Sequence, residues 1–115
     1  MLEVDFRMFN EDRVLKLTLQ GHADGEEDSG IVCAAASIQA YTVAQFIYAS
    51  ETHGELECEP FVSLKPGAVR IVCKAIDDDS YGELARVFLY ALTAYRLLAI
   101  NFPGKVTIIS DDTGE

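Results

Sequence analysis

Residues 2 to 8 alternate between apolar and polar. Leu2, Val4, Phe6 and Met8 fall on one face and Glu3, Asp5 and Arg7 on the other, the period of a half-buried strand. Asn10-Glu11-Asp12-Arg13 is a polar turn. The alternation resumes over 14–20, with Leu15, Leu17 and Leu19 set against Lys16, Thr18 and Gln20. The two runs predict an N-terminal β-hairpin. A glycine-rich loop, Gly21 to Gly30, leads into a long apolar stretch that predicts a helix over about Ile31 to Thr52. Asp28 or Ser29 is placed to cap its start, and Gly54 sits where a C-terminal glycine cap belongs.

Glu55 to Glu59 alternates again and predicts a strand that continues past Pro60 to Leu64. Lys65-Pro66-Gly67-Ala68 is a turn with proline and glycine in the favoured order. Val69 to Ala75 is the next strand. Ser80 and Glu83 have capping-box spacing, which starts a second helix near Tyr81. Pro103-Gly104 stops it after about Asn101. Lys105 to Ser110 reads as a last short strand and Asp111 to Glu115 as a solvated tail. The order ββα ββ αβ, without a regular βαβ repeat, predicts an α+β fold. Its sheet is small and antiparallel or mixed, with two long helices packed on one face.

Composition narrows the function classes. The chain has 115 residues, the size of one domain. Its 9 basic and 19 acidic residues leave a net charge of −10. That balance argues against direct nucleic-acid binding, which needs clustered cations, and against an anionic membrane surface. It would steer a basic partner inward. Ser29 to Ser50 carries no charge and approaches the length of a membrane span. It is interrupted by Ser37, Gln39, Thr42 and Gln45, is rich in alanine, and is flanked by Asp28 and Glu51. We read it as a buried helix, with no membrane partner. Three cysteines without a CxxC pair form neither a disulfide framework nor a structural zinc site, so no metal or cofactor is expected. The first residues lack a secretory pattern, and a reducing cytoplasm is the expected compartment.

The chemistry concentrates at the loop and the helix after it. His22 ends a strand and Cys33 lies near the start of a helix. Unpaired amides and the positive end of the helix dipole favour a thiolate there. The same amides suit an oxyanion, and a histidine beside the thiol would act as base and then acid. By pattern alone, a cysteine on an alanine-rich helix is more often core than catalyst. Cys58 and Cys73 read as structural residues on the apolar sides of strands. His53 reads as a helix-end residue meeting the last carbonyls, and Tyr41, Phe46 and Tyr48 as core or subunit contacts.

Gly21-His22-Ala23, the acidic glycine-containing loop, and Ile31-Val32-Cys33-Ala34-Ala35 with Ser37 together resemble the signature of the bacterial ribosomal-processing cysteine protease family. The N-terminal hairpin, Gly54-Glu55-Leu56-Glu57-Cys58 and Asn101-Phe102-Pro103-Gly104-Lys105 also fit that family's layout. The resemblance implies a cytoplasmic, usually homodimeric peptidase. Its substrate would be the N-terminal extension of large-subunit ribosomal protein twenty-seven, cut after a short hydrophobic, aromatic-containing motif. It implies a catalytic pair of His22 and Cys33, with Gly21, Ala23, Asp28, Gly30 and Ser37 in supporting or substrate-binding places. The loop would order over the substrate. Two departures stand out. Gly30 replaces an aspartate usual before Ile-Val-Cys, and the loop is one residue shorter, leaving Asp28 as the candidate replacement carboxylate. An alternative remains in which the chain is a non-catalytic acidic module that binds a basic ribosomal protein or assembly factor. A thiol acyltransferase or thioesterase would use the same pair, but no carrier or coenzyme site accompanies it.

Overall fold

The computed structural model describes residues 1–23, 25 and 27–112, and the side chains of Ser110, Asp111 and Asp112 lie outside that description. Strands β1 (Leu2–Phe9) and β2 (Val14–Gln20) form the expected hairpin. Helix α1 spans Ser29–Thr52, followed by β3 (Phe61–Lys65) and β4 (Ala68–Lys74). Helix α2 (Asp78–Asn101) and β5 (Val106–Asp112) complete the chain. The five strands form one sheet in the order β3-β4-β2-β1-β5. It is mixed: β1 and β5 run parallel, and every other pair is antiparallel. The parallel pair follows from α2, which carries the chain from β4 across the sheet to the far side of β1.

The alternating apolar residues of β1, β2 and β4 point to one face. There Val4, Phe6, Leu15, Leu17 and Ile71 are fully or almost fully buried under the helices. The alanines of α1 are part of the reason the helices fit. Ala36, Ala40 and Ala44 are buried with Val32, Val43 and Ile47, and short side chains let α2 approach. Tyr95, fully buried on α2, donates its hydroxyl to the Ala36 carbonyl at 3.1 Å, so its one polar atom is satisfied inside the core. Phe6 and Phe88 meet with ring centroids 6.1 Å apart. By length and hydropathy α1 is apolar enough to cross a membrane. Here its buried stripe packs into the core instead.

Several boundaries differ from the expected ones, each for a local reason. Leu56 makes only an isolated bridge to Ala75, and β3 starts at Phe61. Pro60 has no N–H to carry a ladder past it, and Cys58 is exposed between the two segments rather than on an apolar strand face. α2 starts at Asp78, not near Tyr81. The Asp77 side chain accepts the Ser80 N–H at 2.8 Å, so Ser80 lies inside the first turn and is not the cap. α1 starts two residues earlier than expected. Its C-terminus is the expected glycine cap: Gly54, at φ 73°, donates to Glu51, and Glu55 donates to Ser50, the paired bonds of a Schellman motif. Asp111 and Asp112 belong to β5 rather than to a tail, and 113–115 lie outside the described residues.

Candidate active site

Gly21 ends β2 in a conformation few other residues tolerate. Its φ is 89°, and a Cβ there would lie 2.5 Å from the Met1 carbonyl oxygen. Its N–H donates to the Gly67 carbonyl at 3.0 Å, which ties the loop to the β3–β4 turn. His22 follows, exposed, with its imidazole laid against Gly67. A Cβ on Gly67 would sit 2.6 Å from Nε2. Gly67 also has φ 73°, so the turn and the ring both require glycine. Ala23 is buried and anchors the loop beyond the histidine.

Cys33 approaches from the other side. It is the fifth residue of α1 and half-buried. Because the helix begins at Ser29, the unpaired first-turn amides lie before the cysteine rather than around it. Helical side chains lean toward the N-terminus, which brings the thiol back over that turn. One small cavity of about 150 Å³ is lined by both His22 and Cys33, together with Ser37, Tyr41, Leu64 and the turn Lys65 to Ala68. Two residues eleven positions apart in sequence thus share one pocket. Ser37, one turn after Cys33, also lines it.

The supporting residues divide. Asp28 occupies the N-cap position of α1 at φ 65°, but its side chain makes no capping bond. Ser29 does not cap either, since its hydroxyl donates to the Gly25 carbonyl. Gly30 is exposed, and a Cβ there would meet nothing within 4 Å. Neither Asp28 nor Gly30 lines the cavity. Asp24 and Glu26 of the acidic run lie outside the described residues.

The thiols separate by environment. Burial pushes the Cys73 thiol up to about 12, with Cys58 adding to the rise, so Cys73 is a core residue. Cys58 is exposed and outside any strand. Sequence reasoning did not find the β3–β4 turn as part of the site. Its Pro-Gly pair signalled a turn, but only the sheet order brings Gly67 under the imidazole. A larger groove of about 800 Å³ runs between α1 and α2, lined by Phe46, Glu83, Val87 and Tyr90 among others. It holds none of the expected site residues.

This fold is that of a class. A crystal structure of the essential ribosomal processing protease Prp from Staphylococcus aureus with a substrate peptide superposes with TM-score 0.70. It shares 21% identity and covers 96% of this chain and 100% of that one. The same protease with a covalently linked product peptide gives 0.67 at 19% identity, over 96% and 100%. The protein SMU.848 from Streptococcus mutans gives 0.64 at 23%, over 96% and 99%. No curated protein matches the chain in sequence. The profile described as cysteine protease Prp matches residues 1–95. The chain belongs to that family, and it is a cysteine peptidase.

Proposed function

We propose that this chain is a single-domain endopeptidase of the cytoplasm that removes the N-terminal extension of large-subunit ribosomal protein twenty-seven. Cys33 is its nucleophile and His22 its acid–base group. The observation that carries this reading is the cavity lined by both side chains. His22 takes the Cys33 proton, and Sγ attacks the scissile carbonyl. First-turn amides of α1 hold the oxyanion. The tetrahedral intermediate collapses as the protonated imidazole gives its proton to the leaving amine, and the acyl group remains on sulfur. His22 then takes a proton from water, whose oxygen attacks the thioester and releases the acid. Ser37 supports the site from one turn further along α1. The surface charge suits a basic ribosomal protein.

The test is single-turnover cleavage of a peptide spanning the extension junction. Cys33→Ala abolishes cutting while the far-ultraviolet circular dichroism is unchanged. Cutting that survives this substitution would sink the assignment. The competing non-catalytic reading draws on Gly30, which leaves the first turn of α1 without a carboxylate. Thiol labelling separates the two: His22 activation makes Cys33 alkylate ahead of the more exposed Cys58, whereas equal labelling favours the binding module.

We also propose a homodimer. Ile31, Ile38, Tyr41 and Tyr48 follow helical spacing on α1, and the two isoleucines are 61% and 57% exposed. Leu97 and Ile100 add apolar surface on α2, more than a monomer ordinarily leaves uncovered. A sedimentation coefficient of a monomer at micromolar concentration would contradict it.

A further inference from the structure

Among the described residues β3 is an edge strand, with β4 on one side and no strand on the other. The strand register fixes which of its backbone groups are spent. On the β2 side of β4, Ala75 donates to the Arg13 carbonyl and the Gly67 carbonyl accepts from Gly21. On the β3 side, the Lys74 carbonyl accepts from Glu57 at 2.9 Å. Antiparallel ladders alternate, so odd positions of β4 face β2 and even positions face β3. The partners of those even positions are Phe61 opposite Val72, Ser63 opposite Arg70 and Lys65 opposite Ala68. The N–H and C=O groups of Val62 and Leu64 therefore point out of the sheet edge. Among the described residues none of these four groups has a backbone partner.

This edge is bounded and aimed. Pro60 and Pro66 flank β3, and neither can donate, so the free ladder is limited to two residues. Its far end is at the pocket: Leu64 lines the same cavity as Cys33 and His22, together with Tyr41 and Ser37 of α1.

We propose that the substrate binds as an added strand on β3, its backbone bonding to Val62 and Leu64, so that the chain enters the Cys33 pocket in extended form. This rests on the proteolytic reading above. Strand addition supplies affinity through main-chain bonds, while side chains on alternate positions meet the cavity or the open face. The occupant is an extended peptide, because only a second backbone offers donors and acceptors at the two-residue repeat that this edge presents.

An ester scan of the extension peptide tests it. Each amide outside the scissile bond is replaced in turn by an ester, which removes one donor without adding bulk. Two positions, two residues apart, should each lose roughly tenfold in kcat/KM, and the amide between them no more than about twofold. A flat scan on a peptide that the wild-type protein cuts overturns the strand addition and leaves the proteolytic reading standing. A wild-type protein that cuts no peptide overturns both. Val62→Pro is the protein-side counterpart. It deletes an outward N–H and no bond to β4, so the melting temperature should fall only by the lost packing of Val62 on the core, while KM rises about tenfold. An unchanged KM in a folded Val62→Pro protein overturns the proposal, and if that variant fails to fold the ester scan decides alone.

Discussion

α1 and α2 are both 24 residues long, and an acidic run meets the start of each in the sequence, yet their first turns are built in opposite ways. α2 is closed. Asp77 is extended at φ −150°, its side chain accepts the Ser80 N–H, and Asp78 and Asp79 add negative charge to the first turn. α1 is open. Asp28 has a left-handed φ of 65° and makes no side-chain cap, and the first turn carries no acid and a glycine at its second position. A carboxylate at a helix start neutralises the amides and dipole there. α2 spends its N-terminus on stability. α1 has no such cap among the described residues, and this is the end that carries Cys33. The difference separates a structural terminus from one that can act on a ligand.

The strongest way to break this comparison is to remove the residue that shares the Cys33 pocket and the residue that caps α2. His22→Ala should lower kcat on the extension peptide by roughly a thousandfold with little change in melting temperature, because the ring is exposed. Asp77→Ala should lower the melting temperature and leave kcat/KM alone. If both variants lose activity in proportion to stability, the two termini do not differ in kind.

Gly67→Ala comes next. It forces a Cβ to 2.6 Å from His22 Nε2 and holds alanine at a positive φ. Backbone strain costs about 1–2 kcal/mol in a urea melt, and the displaced ring lowers kcat at least about tenfold. A variant with full activity would show that the imidazole does not need its seat on the turn.

A pH series sharpens the α2 side. Hydrogen bonding from the Ser80 backbone holds the Asp77 carboxyl below its ordinary range, with the Ser80 hydroxyl and Arg13 acting in the same direction. A depressed carboxyl contributes stability above its unfolded value and loses it as pH falls through its folded one. The melting temperature should therefore decline on acidification, less so in Asp77→Asn, where the side chain still accepts a bond but does not titrate. An identical acid slope in both proteins would remove Asp77 from the explanation.

The smallest expected effect is at the open end. Gly30→Asp puts a carboxylate into the first turn of α1 at a site with room for it. Replacing a helical glycine and complementing the dipole should add roughly 0.5–1 kcal/mol, read as a higher urea midpoint. No gain would mean that this terminus is already satisfied by another group.

How legible these features were depends on how local their causes are. Strand alternation placed β1 and β2 within a residue, and Gly54 marked the end of α1, because side-chain period and left-handed glycine act over a few neighbouring positions. The start of α2 was misread because two capping signals overlap in Asp77-Asp78-Asp79-Ser80, and the extended backbone of Asp77 decides between them. β3 was drawn too long because alternation continues through Cys58, while the ladder depends on what Pro60 withholds from β4.

The amino-acid sequence by itself determined the element order, the buried faces of β1 and β2 and the family signature around His22 and Cys33. Tertiary structure alone decided that the sheet is mixed, that β3 is its edge, and that Gly67 lies beneath the imidazole. The physical reason is range. Periodicity, caps and turns are set by residues within a few positions of one another, whereas the pocket joins a loop, a helix and a hairpin turn. Only packing over the shared apolar core brings those three together.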